Sequence, residues 1–391
     1  MSAPPNRANL VRVVERRRIV VCCGTGGVGK TTTAAVIALE GARRGRNAVV
    51  VTIDPAKRLA NTLGLDVLTN TARAIDRSLW DPNGLAPKSG RFSALMLDTK
   101  TTFDHLVTRY AEGEQQAHRI LENRFYRNIS GALGGTQEYM AMEKLHELHE
   151  EGGYDLIVVD TPPTRHALDF LDAPNRIVRL LDNRIFRLLM MPTRAYLKIT
   201  TVAVQTFLRT VSKVVGTAVI EDVVAFFRAF EGMEAGFRDR AARVEQLLSD
   251  AGTSFVLVTA PRRDAVGEAA FFAHRLAQSD LPIDALIVNR IHPQFGDELA
   301  GGLAGRAASL REMDGDPQRH AAAERLGALY ANLADFQEIA ARERSHLEGL
   351  QERIGTAGVA YVPFLSSDVH DFESLGEIAE LLFHSPASVR T

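Results

Sequence analysis

Short, unbroken apolar runs recur along the chain and alternate with longer stretches whose apolar positions fall three and four apart. The runs Arg18–Cys23, Asn47–Ile53, Ser93–Asp98, Tyr154–Asp160, Ser254–Ala260, Asp284–Asn289 and Val359–Phe364 read as strands buried on both faces. Residues 33–40, most of 100–151, 264–278 and 373–383 read as helices. The 100–151 stretch breaks and restarts at Ser130–Glu138, and a polar excursion over 65–90 carries a turn at Asp81-Pro82-Asn83-Gly84. Residues 297–355 are Ala-, Leu-, Glu- and Arg-rich, interrupted at Gly315-Asp316-Pro317, and predict a long helical hairpin or arm. Strand–helix alternation of this kind predicts an α/β fold. The sheet is doubly wound and mostly parallel, with helices on both faces and helical insertions. The expected division is a polar N-terminal extension, 1–17, and one domain, 18–391, with a helical insertion near 174–250 and the arm near 297–355.

One loop gives this pattern a chemistry. Gly24-Thr25-Gly26-Gly27-Val28-Gly29-Lys30-Thr31-Thr32 matches the phosphate-binding pattern G-x-x-x-x-G-K-[ST] at every required position, between a predicted strand and a predicted helix. Glycines let backbone N–H groups turn inward around phosphate oxygens, and the following helix directs its positive end at the same anion. Gly26, Gly27, Val28, Gly29, Lys30, Thr31 and Thr32 are therefore the expected phosphate contacts. Lys30 is expected to reach the β- and γ-phosphates, and the Thr31 hydroxyl to ligate Mg²⁺.

Two predicted strands end in aspartate, Asp54 and Asp160. A carboxylate at the C-terminal end of a parallel strand faces the crevice where such sheets bind ligands. Asp54 either orients an attacking water or holds a magnesium-bound water; the alternative is a helix cap for 55–63. Asp160 has the placement of a carboxylate on the magnesium side. Asn289, at the end of a late strand, either meets a nucleotide base through its amide or caps a turn.

Composition narrows the setting. Basic and acidic residues number 46 and 48 in 391, so nothing suggests a general nucleic-acid binder. The only cysteines, Cys22 and Cys23, sit together on the first predicted strand, which leaves no disulfide framework or Cys-x-x-Cys metal site and fits a reducing cytoplasm. The N-terminus lacks the apolar core of a secretion signal, and no run approaches the ~18 apolar residues of a spanning helix. A cytoplasmic protein with no transmembrane segment is expected.

Residues 174–250 carry Leu188-Leu189-Met190-Met191, Val202 to Val215, and Val223, Val224, Phe226, Phe227, Phe230 and Met233 at helical spacing. Between Asp182 and Glu221 the charged residues are all basic. The stretch reads as a helical layer on the sheet or on another subunit, as an adaptable apolar binding surface, or as a basic membrane-surface element.

The glycine loop, Thr52-Ile53-Asp54-Pro55-Ala56 and Asp160-Thr161-Pro162-Pro163-Thr164-Arg165-His166, in that order, resemble the arsenical-pump ATPase family, which includes the targeting ATPase for tail-anchored membrane proteins. The resemblance runs from about Arg18 to the C-terminal helix. It implies Mg-ATP as the ligand and a dimer as the working unit. Asp54 is then similar to the water-positioning switch I aspartate, and Asp160 to the switch II aspartate that holds magnesium through water. Asn289 falls at an adenine contact, and Pro363 and Phe364 at the second adenine-side wall. An apolar client-binding helical subdomain falls near 174–250.

The chain departs from the family at several positions. Members of this branch carry lysine at the second loop position, where it crosses the dimer interface to the other subunit's phosphates; here that position is Thr25. Lys57 stands for the family's histidine and Arg165 for its glycine, and the zinc-holding cysteine pair is absent. A single phosphate loop also sets the chain apart from the fused two-half pump. The resemblance thus implies an ATPase that pairs with a related subunit keeping the lysine, or forms a lysine-independent homodimer. Three outputs are compatible with it: handling of apolar client segments, a regulatory ATPase acting on a protein assembly, and energising an anion or metalloid transporter. Soft metalloids favour thiolate ligands, and cysteines placed ahead of the loop make the transporter the weakest of the three.

Overall fold

The computed structural model describes residues 7–53, 58–129, 136–161, 217–313, 316–355 and 357–384, with 172, 173, 175, 176, 178, 179 and 182. Among the described residues eight strands form one sheet: β1 (Ile19–Cys23), β2 (Asn47–Thr52), β3 (Arg73–Ala74), β4 (Arg91–Met96), β5 (Leu156–Asp160), β6 (Thr253–Thr259), β7 (Ile283–Ile291) and β8 (Gly358–Pro363). Their order is β3-β4-β2-β5-β1-β6-β7-β8, and every pairing is parallel except the short edge pair β3–β4. The apolar runs become strands because both sheet faces are covered, and every residue of β1, β5 and β6 is buried. Parallel pairing brings the C-terminal ends of β1, β2, β5, β6, β7 and β8 to one edge.

The core lies in two layers. On one face the Lys30–Arg43 helix packs with the Phe372–Phe383 helix around Val36, Ile37, Leu39, Val50, Val158 and Leu382. The first of these has eleven buried residues because it lies between the sheet and an outer helix, and it ends where Gly45 adopts φ 89°. The outer helix is closed at its start by a reciprocal Asp371–Ser374 cap. On the other face, the Thr136–Glu151, Glu234–Ser249 and Arg263–Gln278 helices cover Ile19, Val49, Ile157 and Phe255.

Several expectations change in detail. The stretch ahead of β1, polar on average, holds the Arg7–Arg16 helix, whose Leu10, Val13 and Val14 are buried at a spacing of three and four. Mean polarity hides a three-residue stripe. The 297–355 stretch is a hairpin, Ala300–Arg311 packed on Pro317–Leu347, the latter started by Asp316 accepting from Gln318 and Arg319 N–H groups and by Pro317 at its first position. Within 174–250, Thr217–Ala229 and Glu234–Ser249 are helices, and Phe226, Phe230 and Met233 are in the core, where Phe226 stacks on Tyr126 and Phe230 meets Phe103. The Phe–Met part of that stripe is therefore interior packing. Residues 183–216 lie outside the described residues. Cys22 and Cys23 are buried free thiols, and burial pushes both well above the ordinary thiol pKa.

Candidate functional site

The glycine loop connects β1 to the Lys30–Arg43 helix at the C-terminal edge of the sheet. Three of its glycines have positive φ: Gly24 152°, Gly27 76° and Gly29 94°. At Gly24 the requirement is also steric, because a Cβ there would lie 2.1 Å from the Val258 carbonyl oxygen of β6. The Lys30 side chain is almost fully buried, and Nζ donates to the Thr25 carbonyl at 2.7 Å. The ammonium is thus held inside the turn of the loop.

Beside the loop lies a cluster of oxygen groups. Thr31 Oγ1 donates to Asp160 Oδ2 at 2.7 Å, and Thr52 Oγ1 donates to the same oxygen at 2.9 Å. Asp160 is only 1% exposed. β5 pairs with both β1 and β2, so Asp160 stands opposite Cys22 on one side and Thr52 on the other. That register brings the loop threonine, the end of β2 and the end of β5 to one point. Thr161 Oγ1 donates to the Cys22 carbonyl at 2.8 Å and fixes the chain leaving β5. The Ile53 N–H donates to the Asp160 carbonyl at 3.2 Å, and the Ile53 carbonyl accepts from Gln137 Nε2 at 2.8 Å. Asp54 lies outside the described residues, but Ile53, which leads the chain into it, is anchored on both sides. A hydroxyl and a carboxylate side by side are the hard oxygen donors that a magnesium ion takes.

A cavity of about 290 Å³ opens in front of the loop, with Gly27, Gly29, Lys30 and Thr31 on one side and Arg58, Arg290 and His370 among the groups across it. Its lining is cationic, which suits a polyphosphate. Arg290 is one of two described non-glycine residues with clearly positive φ, 62°, and sits where the β7–β8 register shifts between Asn289 and Ile291. The irregularity turns the Arg290 side chain into the cavity wall.

The expected adenine residues cluster on the neighbouring strands. Asn289 and Val362 are register partners. β7 runs on to Ile291, so Asn289 precedes the strand end, and its Nδ2 donates to the Val28 carbonyl at 2.9 Å. Its amide is tied to the phosphate loop. Pro363 ends β8, and Phe364 stacks on His292 with ring centroids 5.4 Å apart and planes 9° from parallel. His292 is fixed by Glu343, whose carboxylate accepts from the His292 backbone N–H and meets Nδ1, both at 2.7 Å. Thr25 is half-buried and its hydroxyl is enclosed. No sequence pattern marks Arg58, Arg290, His292 or His370 as site residues, and Thr52, though it opens the Asp54 segment, carries no role that the sequence assigns.

A family model described as anion-transporting ATPase matches residues 17–308. The chain belongs to this family. Relatives include ATPase GET3B of Arabidopsis thaliana, 25% identical over 321 residues that cover 76% of this chain and 70% of the relative. ATPase GET3 of Malassezia globosa is 26% identical over 178 residues, 46% of this chain and 48% of its own. A Halobacterium salinarum protein, provisionally named an arsenical pump-driving ATPase, is 32% identical over 164 residues, 41% of this chain. The chain spans about a quarter (24%) of that last relative's length and about half of the Malassezia protein. Among the described residues no helix is long and apolar enough to cross a membrane.

Proposed function

We propose that this chain binds Mg-ATP at the glycine loop and hydrolyses it within a dimer whose conformation follows the nucleotide. The observation that carries the proposal is the convergence of Thr31, Thr52 and Asp160 just behind a cationic cavity that Lys30 and Thr31 line. The loop N–H groups and Lys30 bind and orient the β- and γ-phosphates. Thr31 would hold a magnesium ion directly and Asp160 would hold it through water, and the ion would neutralise phosphate charge. Asp54 orients the attacking water for in-line displacement. Asn289, Pro363 and Phe364 take the adenine.

The dimer is a heterodimer with a related subunit that keeps the loop lysine, or else a homodimer that works without it. Thr25 is short, neutral and turned inward, so it cannot send charge to another subunit's phosphates. A lysine-bearing partner would complete the site on this chain, while its own site would face Thr25. The output we favour is the handling of an apolar client segment or a protein assembly. Phe226, Phe230 and Met233 pack in the interior, so support for the client reading comes from the sequence of 183–216, which is basic and apolar. Energising a metalloid transporter fits less well, because Cys22 and Cys23 are buried and their thiols resist ionisation.

Calorimetry with Mg-ATP on wild type and Lys30→Ala tests binding, and turnover of Asp54→Asn tests the chemistry. Equal affinity with and without Lys30 refutes the site; unchanged single-turnover hydrolysis in Asp54→Asn makes Asp54 a helix cap. The same turnover assay, with and without a lysine-bearing paralogue and for Thr25→Lys, separates the two dimers.

A further inference from the structure

β7 breaks its pattern at one residue. Asn289 pairs with Val362 and Ile291 with Pro363, so two steps along β7 answer one step along β8, and Arg290 is the residue left over. Its backbone is left-handed, with φ 62°. The other described non-glycine residue with clearly positive φ, Asp280, follows the Arg263–Gln278 helix, where a left-handed residue commonly ends a helix. Arg290 lies within a strand and has no such reason. Glycine would adopt this conformation more readily, so the backbone alone does not require arginine. Both neighbours are fastened. Asn289 Nδ2 donates to the Val28 carbonyl at 2.9 Å, and the Ile291 carbonyl accepts from the Phe364 N–H at 2.9 Å. The bulge therefore fixes the root of one side chain beside the phosphate loop.

We infer, on the Mg-ATP reading above, that Arg290 binds the phosphates of the nucleotide held by its own chain. It supplies from within the chain positive charge that a second copy, with Thr25 in its loop, cannot bring from across a dimer. The cavity is the first argument. Arg290 lines it together with Gly27, Gly29, Lys30 and Thr31 of the loop. Charge is the second. Lys30, Arg58 and Arg290 meet around this cavity, and among the described residues no carboxylate lines it. Like charges gathered without a counter-charge repel one another, and an anion between them relieves the repulsion. The third argument is availability. Arg290 is exposed, and among the described residues it makes neither an ion pair nor a hydrogen bond. The Lys30 ammonium, by contrast, already donates to the Thr25 carbonyl. A guanidinium presents its donors as a planar fork, which matches two phosphate oxygens at once.

The test is calorimetry with Mg-ATP on the full chain at low and at high salt. Arg290→Gln keeps a planar polar end without the charge, and is expected to weaken binding about tenfold at low salt. Salt dependence is the readout that a structural role would not move. Wild-type affinity should fall more steeply with salt than that of Arg290→Gln, so the two converge at high salt. Arg290→Lys keeps the charge without the fork and should recover part of the loss. Arg290→Gly relaxes the backbone, and should bind as weakly as Arg290→Gln while keeping the wild-type urea midpoint. Arg319→Gln removes an arginine 87% exposed on the hairpin and should match the wild type at both salt concentrations. Wild-type affinity in Arg290→Gln at low salt, with binding lost in Lys30→Ala, overturns the inference and leaves the Mg-ATP reading standing. A loss in Arg290→Gln that is equal at low and high salt makes the arginine a brace of the bulge, and also overturns it. No binding of Mg-ATP by the wild type overturns both.

Discussion

Gly29→Ala is the substitution whose consequences the geometry specifies most closely. Gly29 sits at φ 94°, and a Cβ there would lie 2.2 Å from Asn289 Nδ2. Two costs follow. Holding alanine in the left-handed region costs ~1–2 kcal/mol. Displacing the Asn289 amide forfeits its hydrogen bond to Val28, another ~1 kcal/mol. If the loop must keep this shape to bind phosphate, the sum of ~2–3 kcal/mol weakens Mg-ATP binding by roughly 30- to 150-fold. Asn289→Ala alone forfeits that hydrogen bond, about fivefold in affinity, together with the proposed contact of its amide to adenine, both of which the displaced amide of Gly29→Ala also loses. The double variant is the decisive measurement. Once the methyl added by Gly29→Ala has pushed the amide away, removing that amide costs nothing further, so Gly29→Ala and the double variant have the same affinity by calorimetry. The coupling between the two sites is then at least ~1 kcal/mol. Additive losses, with the double variant about fivefold or more weaker than Gly29→Ala, refute the claim that the Asn289 amide braces the loop.

Three further outcomes follow. Glu143→Ala leaves Arg240, only 5% exposed and bonded to Glu143 at 2.6 Å, without its buried partner; urea unfolding should show a loss of ~3–5 kcal/mol, most of it recovered by Glu143→Leu with Arg240→Met. Burial, with help from Arg240, lowers the His146 pKa. As pH falls through the unfolded value of ~6.5 the unfolded chain therefore binds the proton first, so stability drops between about pH 7 and 5, and the urea midpoint of His146→Leu should vary less over that range. Gln137→Leu removes the donor that holds the Ile53 carbonyl; turnover should fall several-fold with ATP affinity kept, and unchanged turnover shows that the contact is only structural.

The strands were legible in the sequence because burial on both faces writes an unbroken apolar run, and the loop because its glycines are forced by backbone geometry. Helical stripes were not decidable in the same way. Phe226, Phe230 and Met233 have the same three-and-four spacing as Leu10, Val13 and Val14, and both sets are interior, yet Leu326, Leu329, Phe336 and Ile339 show related spacing and face solvent. Periodicity defines a face and leaves open what covers it. The site divides along the same line. Lys30 and Thr31 follow from a contiguous pattern. Thr52 joins them because β2 and β5 are paired in one register, and Arg290 because β7 loses register against β8, facts of pairing that a linear chain does not display.

Those pairings also determine which parts of the fold can respond to a change at the loop. Asp160 accepts from the loop through Thr31 and from the end of β2 through Thr52, and its backbone accepts from Ile53. Ile53 is held in turn by Gln137, in the first turn of the Thr136–Glu151 helix. Two turns on, Glu143 of that helix is bonded to Arg240 of the Glu234–Ser249 helix. Each step is a directional bond in a mostly buried setting, so no step can lengthen much without leaving a polar group unpaired. Contiguity alone is not coupling. It does mean that a displacement of Asp160 has a stiff route to the second helical layer, whereas the hairpin at 300–347 meets the sheet through the His292–Glu343 contact after β7 and the His346 contact to the Pro261 carbonyl after β6. A rearrangement that follows the nucleotide should therefore enter the helical layer through Gln137.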